Sequence, residues 1–425
     1  VSAISPPSGP AAGGQSVTLT GTNLTGATGV TIGGAPATSI SVVNDTTITA
    51  TTPALSAPTA SILGTTGANP WGITIDSSGN IYTANGTSNN VTKITPAGVS
   101  TILGTTGSNP VAITIDPSGN VYTANNNSNN VTKITPAGVS TILGTTGSNP
   151  VAITIDPSGN VYTVNLGSEN VTKITPGGVS TILGTTGSNP RGITIDSSGN
   201  VYTTNYNSNN VTKITPGGVS TILGTTEGSP FGIVIDSSGN IYTANYGSNN
   251  VTKITPGGGS TILGTAGDNP FGITIDSSGN VYTANFNSNN VSKITPGGVS
   301  TILGTTGSGP FGIVIDAKGN VYTGNYSSND VTKIASVTPV ASVLVTTPGG
   351  TNAANTLYNY VSLPTISGIS PAGGITGGGQ SVTISGSNLA GTTAVTLGGV
   401  AATNVVVAAD GNSLTAVTPA RSAGT

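Results

Sequence analysis

VSTILGTTGSNPRGITIDSSGNVYTTNYNSNNVTKITPGG, residues 179–218, is one copy of a 40-residue sentence written seven times between residues 60 and 336. Its anchor, Pro-x-Gly/Ala-Ile, returns at a 40-residue step without insertion or deletion, and x is Trp71, Val111, Val151, Arg191, Phe231, Phe271 and Phe311. A fixed period in this range marks a repeat architecture, in which each unit buries its apolar faces against its neighbours. Within the first full copy, four β-prone runs stand out: GITID at 72–76, NIYT at 80–83, NVTKIT at 90–95 and STIL at 100–103. Gly, Asn, Asp and Pro separate the runs. Each has a physical reason to sit in a turn: positive φ for Gly, side-chain-to-backbone bonds for Asn and Asp, a fixed φ for Pro. The runs themselves are rich in β-branched residues and show no helical periodicity. Four strands per repeat of this length predict one blade of a β-propeller.

The Ser-x-Ile-Leu strand is out of step with the other three. Its first copy, ASIL at 60–63, precedes the first blade, while the last blade ends at Ser336 with only three strands of its own. Residues 60–63 are therefore expected to supply the missing outer strand of the last blade. That closes a seven-bladed ring, removes two sheet edges and sets Ala60 beside Ser336.

The repeat resembles NHL-type propellers, whose usual form is close to P-x-G-I-x-x-D-x-x-G-N-x-Y-V-x-D-x-x-x-N-x-x-x-K. The resemblance covers about 277 of the 425 residues. Virginiamycin-lyase-like propellers share this repeat. One departure recurs: the second Asp of the usual pattern is Asn85, Asn125, Asn165, Asn205, Asn245, Asn285 and Asn325.

Composition narrows the chemistry. The chain has no Cys, Met or His, only 5% charged residues and a formal net charge of −3. Zero Cys excludes a disulfide framework and thiol chemistry. Abundant Gly, Ser, Thr and Asn with little charge suits a secreted or surface-exposed protein, and gives no electrostatic case for nucleic acid or membrane insertion. The chain opens on Val1 rather than Met, so it is expected to be a processed product or part of a longer polypeptide.

Outside the repeats, residues 1–59 read as short alternating strands between Gly and Pro turns: SVTLT at 16–20, GVTI at 29–32 and TITA at 47–50. The pattern I-S-P-x-x-G-x-x-x-G-G-x-x-V-T-L-x-G-x-N-L resembles an IPT/TIG domain, an immunoglobulin-like β-sandwich. Its closing pieces appear some 280 residues later, as ASVLVTTPGGT from Ala341 and the Tyr358-Asn-Tyr360 triplet. The propeller is thus expected to be inserted in a loop of this sandwich, which requires its two ends to be adjacent. Residues 337–363 complete the first sandwich, and 364–425 restart the pattern as a second one. That second sandwich is expected to lack its last strands and to be completed by residues beyond Thr425 or by a neighbouring chain.

No Ser-His or Cys-His arrangement can be built without His and Cys, so acid–base work falls to carboxylates. The lyases that the repeat resembles depend on a His, and the resemblance does not carry their activity to a chain without one. The repeated carboxylates are Asp76, Asp116, Asp156, Asp196, Asp236, Asp276 and Asp316. Each opens a D-x-x-G-N turn and is expected to accept the N–H groups of its own turn. Lys93, Lys133, Lys173, Lys213, Lys253, Lys293 and Lys333 form an equal set, expected to pair with these Asp. The Tyr82-type residues are expected to pack between blades with the hydroxyl bonded. The Asn-x-Ser/Thr sequons at Asn90, Asn130, Asn170, Asn210, Asn250 and Asn290 begin a strand in six of the seven copies, so a structural origin is favoured over glycosylation.

Two positions vary strongly between copies. One follows the Pro; the other follows the Asn that ends the Tyr strand: Gly86, Asn126, Leu166, Tyr206, Tyr246, Phe286 and Tyr326. In an up-and-down blade, both loops lie at the same end of the ring. The candidate ligand-binding set is therefore Trp71, Arg191, Tyr206, Phe231, Tyr246, Phe271, Phe286, Phe311 and Tyr326. Ring stacking on a glycan or another extended polar ligand is one use of such a rim; loop packing or contact with another subunit is the alternative.

The reading is an all-β protein: a seven-bladed β-propeller plus immunoglobulin-like β-sandwich domains, extracellular or at the cell surface. The leading functional expectation is non-enzymatic and structural, with no metal or cofactor. It is a subunit of a surface filament or appendage, assembled head-to-tail with itself through the sandwiches. A carbohydrate-binding adhesin is the alternative, and a lyase or hydrolase the weaker one.

Overall fold

The computed structural model describes residues 1–55, 57–336, 340–361, 364–389, 392, 394–408 and 411–420. Every regular element among them is a β-strand. The last residues of the second sandwich, 421–425, on which the expectation about its closing strands bears, lie outside the described residues. The chain divides into two compact units, Pro58–Ser336 and the remainder.

In the first repeat the strands run Pro70–Ile75, Ile81–Asn85, Asn90–Ile94 and Ser100–Thr105, paired antiparallel in that order. The same sheet recurs along the repeats, and the described residues of this unit form seven four-stranded sheets. In the last sheet the outer strand is Thr59–Thr65, one residue longer at its start than the sequence reading placed it. It pairs with Asp330–Ala335, bringing Thr59 opposite Ala335 and Thr65 opposite Asp330.

The core lies between sheets, not within them. Tyr82, Ala84 and Val91 of the first sheet pack against Ile113, Val121 and Ile134 of the second, with Leu103 and Ile115 at the margin. The same cluster recurs where last and first sheets meet: Tyr322 and Val331 pack on Ile73, Ile81 and Ile94, with Leu63 beside them. The second strand of each sheet is fully buried along its length, because neighbouring sheets cover both its faces. This is why a strand with no alternation, such as IYTAN, is stable here. Each buried Val or Ile contributes on the order of 1.5–3 kcal/mol.

Polar groups on that strand must bond inside the protein. Asn85 donates from Nδ2 to Asn90 Oδ1 at 2.7 Å and to Thr92 Oγ1 at 2.9 Å, and its Oδ1 accepts from Thr83 Oγ1 at 3.0 Å. A carboxylate there could not donate either bond. The departure from the NHL pattern thus has a local cause. It also occupies the sequon residue Asn90, which is only partly exposed.

The first sandwich is built from chain before and after the propeller. One sheet orders Ala3–Ser5, Ser16–Thr20, Thr47–Thr51 and Thr38–Asn44. In a second sheet Val343–Thr347 pairs antiparallel with Gly29–Ile32, and in a third, three-stranded one Tyr358–Val361 runs parallel to Ser8–Pro10. Val17, Leu19 and Ile48 share one core with Val343, Val345, Tyr358 and Tyr360. The Tyr360 hydroxyl donates to the Pro53 carbonyl at 2.9 Å.

The second sandwich repeats the first sheet order with Thr365–Ser370, Ser381–Ser387, Ser413–Val417 and Thr403–Val407. Its hairpin, Thr396–Leu397 with Val400–Ala401, stands where Gly29–Ile32 and Ala35–Pro36 stand in the first.

Candidate functional site

The two variable positions of each repeat are held together by backbone bonds. The residue after the buried Asn donates its N–H to the loop residue just before the Pro. Gly86 bonds to Asn69 O at 2.9 Å, Tyr206 to Asn189 O at 2.9 Å and Phe286 to Asn269 O at 3.0 Å. Neighbouring sheets are clasped at the same end. Asn89, in the left-handed region at φ 52°, accepts the Asn109 N–H on its Oδ1 at 2.8 Å. Asn209 does so for Ser229 at 2.7 Å, and Asn329 for Asn69 at 2.7 Å, across the point where last and first sheets meet. Asn tolerates this backbone because its short side chain bonds locally. Glu169 holds the corresponding place at φ 49° and accepts the Asn189 N–H on Oε1 at 3.1 Å.

These loops bring all nine predicted residues around one concavity of about 330 Å³. The rings are not free-standing. Phe271 stacks on Phe311 at 4.3 Å and meets Phe231 edge-on at 4.5 Å, with Tyr246 at 4.9 Å and Phe286 at 5.1 Å from it. Trp71 packs edge-on against Phe311 at 4.6 Å and Tyr326 at 4.7 Å. All remain partly exposed. Loop packing and an accessible surface thus coexist: each ring braces its neighbours and keeps part of itself open. A second space of about 190 Å³ is lined by the first strands of the sheets, with Val111, Ala112, Val151 and Ala152 beside Trp71, Arg191 and Phe271.

Backbone approach sets the rings' positions. A Cβ on Gly272 would lie 2.5 Å from the Phe311 carbonyl, so the Gly of Pro-Phe-Gly is what lets the next sheet's aromatic residue come this close.

Arg191 is the cation of the site. Its guanidinium carbon lies 5.5 Å from the Tyr206 ring centroid and 5.4 Å from that of Phe231. Burial pushes it below its ordinary value, and the nearby Tyr206 works the other way. Its Nε is buried and without a hydrogen-bond partner, as is Asn189 Oδ1 on the same loop. Sequence reasoning missed Asn189 and also Thr204. Thr204 Oγ1 accepts the Gly192 N–H at 2.8 Å and donates to the Phe231 carbonyl at 2.6 Å, tying together the residues beside Arg191 and Phe231. The signal was present: at this position the other copies carry Ala, Val or Gly.

The Asp, Tyr and Lys sets lie away from the concavity and are structural. Asp76 Oδ1 accepts the Ser78 and Asn80 N–H groups at 2.9 and 2.8 Å; its Oδ2 accepts Asn80 Nδ2 at 2.8 Å and the Tyr82 hydroxyl at 3.0 Å. The expected Lys–Asp pairing is corrected. Lys93 stands directly across from Tyr82 on the next strand, with Nζ 5.7 Å from the ring centroid. Geometry decides this: the cross-strand neighbour of Lys is the Tyr, which itself takes the carboxylate.

The sequence pattern of the virginiamycin B lyase family matches residues 21–248 and again 180–354, and that of the IPT/TIG domain matches residues 364–425. No curated protein matches the chain. Among solved structures, virginiamycin B lyase from Staphylococcus aureus is similar at 19% identity and a TM-score of 0.58, over 66% of this chain and 99% of that one. A catalytically inactive histidine-to-alanine variant of that lyase, determined with quinupristin, is similar at 19% identity and a TM-score of 0.59, over 66% and 99% of the two chains. Hydrazine synthase from Kuenenia stuttgartiensis follows at 21% identity and a TM-score of 0.55, over 63% and 96%. At these identities the structural likenesses speak for the fold alone. The family match corrects the expectation of a non-enzymatic chain, because the family it names is one of lyases.

Proposed function

The chain belongs to the virginiamycin B lyase family, and from that premise we propose that its propeller is a ligand-binding ring working at the aromatic concavity. The seven sheets are read as seven NHL-like blades of one closed ring, with the concavity at one mouth. One observation carries the reading. The repeats are nearly invariant, and the positions at which they differ most converge on a single surface. Aromatic residues enter it from the first, fourth, fifth, sixth and seventh sheets. A scaffold alone has no reason to collect its variation there.

The ligand class that suits this surface is a carbohydrate. Its C–H faces stack on rings, and its hydroxyls match the Asn and Ser side chains of the surrounding loops. Low charge and the sandwich domains fit presentation outside the cell or at its surface. A glycan array on the purified chain tests the reading. Trp71→Ala or Phe271→Ala should weaken binding of any hit by about 1–3 kcal/mol without unfolding the ring. Absence of any hit for the native chain would sink it.

A second reading, assembly through the sandwiches, is favoured by one feature. In the second sandwich Ile366, Ile369, Leu389, Val395 and Leu397 border an open, apolar groove of about 420 Å³. In the first sandwich Val343–Thr347 lies along the corresponding hairpin. A strand from a second copy would cover the groove. Light scattering over a concentration series tests this, and a constant monomer mass would end it.

A further inference from the structure

We propose that the sugar held in the concavity is acidic, a pyranose whose carboxylate pairs with Arg191. This rests on the concavity being a glycan site and names the ligand class within it. The first argument is the cost of Arg191 as it stands. A guanidinium drawn out of water needs a partner, and a carboxylate matches its planar fork with two parallel bonds. Arg191 lines the concavity with its guanidinium carbon 5.5 Å from the Tyr206 ring centroid and 5.4 Å from that of Phe231, and no carboxylate is among the residues that line it with Arg191. Its buried Nε has no protein acceptor.

The second argument is the neighbourhood. Two residues before it, Asn189 Oδ1 is likewise buried and without a hydrogen-bond partner. In other copies the same oxygen is used by the protein: Asn69 Oδ1 accepts from Thr87 Oγ1 at 2.5 Å. A sugar offers both complements at once, a carboxylate for Arg191 and a hydroxyl for Asn189. The third argument is placement. Thr204 bonds Gly192 and the Phe231 carbonyl, so the segment bearing Arg191 is fixed against the next sheet. Arg191, Thr204 and Tyr206 all belong to the fourth repeat, so the charge and the clip that steadies it depart from the consensus together.

The experiment compares an oligogalacturonate with its methyl ester by calorimetry. The two have the same rings, and only one has the charge. The native chain should bind the acid at least about tenfold more tightly. Arg191→Met should abolish that preference, the acid then binding no more tightly than the ester, with the melting curve retained. Thr204→Val, which keeps the charge, should reduce the preference. Equal affinity of acid and ester for the native chain would overturn the proposal while leaving glycan binding intact, as would a preference that survives Arg191→Met. Failure of both forms, with neutral sugars bound in the array, also overturns it; failure of every sugar removes the underlying glycan reading instead.

Discussion

At the scale of single residues, the repeat is held by side chains that answer one another across strands. Asp76 illustrates it. Burial alone would raise its carboxyl, but bonds from the Asn80 side chain and backbone, the Tyr82 hydroxyl and the Ser78 N–H outweigh that and hold it below the usual value of 3.8. Burial, then the bond and charge of Asp76, push Tyr82 well above 10.0. The same arrangement recurs at Asp116 with Tyr122 and at Asp196 with Tyr202. The depressed carboxyls contribute stability that is complete above pH 3.8 and lost as pH falls through their native values, because the unfolded chain takes up protons first. The raised hydroxyls contribute stability that is complete below pH 10.0 and lost as pH rises toward theirs. The melting temperature should therefore fall on both sides of a broad plateau. A melting curve unchanged from about pH 5 to about pH 2 would contradict the carboxylate account.

Among the elements, the outer strand Thr59–Thr65 has the largest consequence for its length. It is the only strand of the last sheet that comes from the other end of the repeat array. Without it Asp330–Ala335 becomes an open edge, and Leu63 leaves the cluster around Tyr322 and Ile73. A fully buried Leu is worth about 2–5 kcal/mol and the partly buried Leu63 less, before the ladder bonds are counted. Deleting residues 59–65 should lower the melting temperature by several degrees or more and promote aggregation through the exposed edge. Differential scanning calorimetry beside a size-exclusion profile checks both; an unaltered transition would refute the role given to this strand.

On the scale of the molecule, two sandwiches of the same sheet order differ in what lies along one hairpin. Val343–Thr347 pairs with Gly29–Ile32, and Val343 is completely buried there. Beside the matching hairpin of the second sandwich, Ile366 stays 62% exposed among the described residues, so this groove is where the proposed association is tested. A synthetic peptide of residues 341–361 should bind there, slow amide exchange in Thr396–Leu397 and reduce any self-association seen by light scattering. No change in exchange with the peptide in excess would rule out strand addition at this groove.

The sequence by itself determined what depends on period and local chemistry. The 40-residue step implied the sheets, the Pro-Gly-Asn punctuation their turns, and the out-of-step strand its pairing with the last sheet. It also pointed to the two variable positions, whose fourteen residues include the nine candidates, because in a repeat protein equivalent positions recur at equivalent places, so variation along the chain becomes a patch in space. What it left undecided needs three dimensions. Equal numbers of Lys and Asp suggested ion pairs; only the strand register shows that Tyr stands between them. Aromatic spacing left a ligand rim and loop packing as alternatives; only the fold shows that the rings brace one another edge to face while staying partly exposed. Asn189 and Thr204 entered the site only once the loops were placed. Their importance lies in which atoms are left without a partner and which carbonyl is reached, and pairing across sheets decides that, not spacing along the chain.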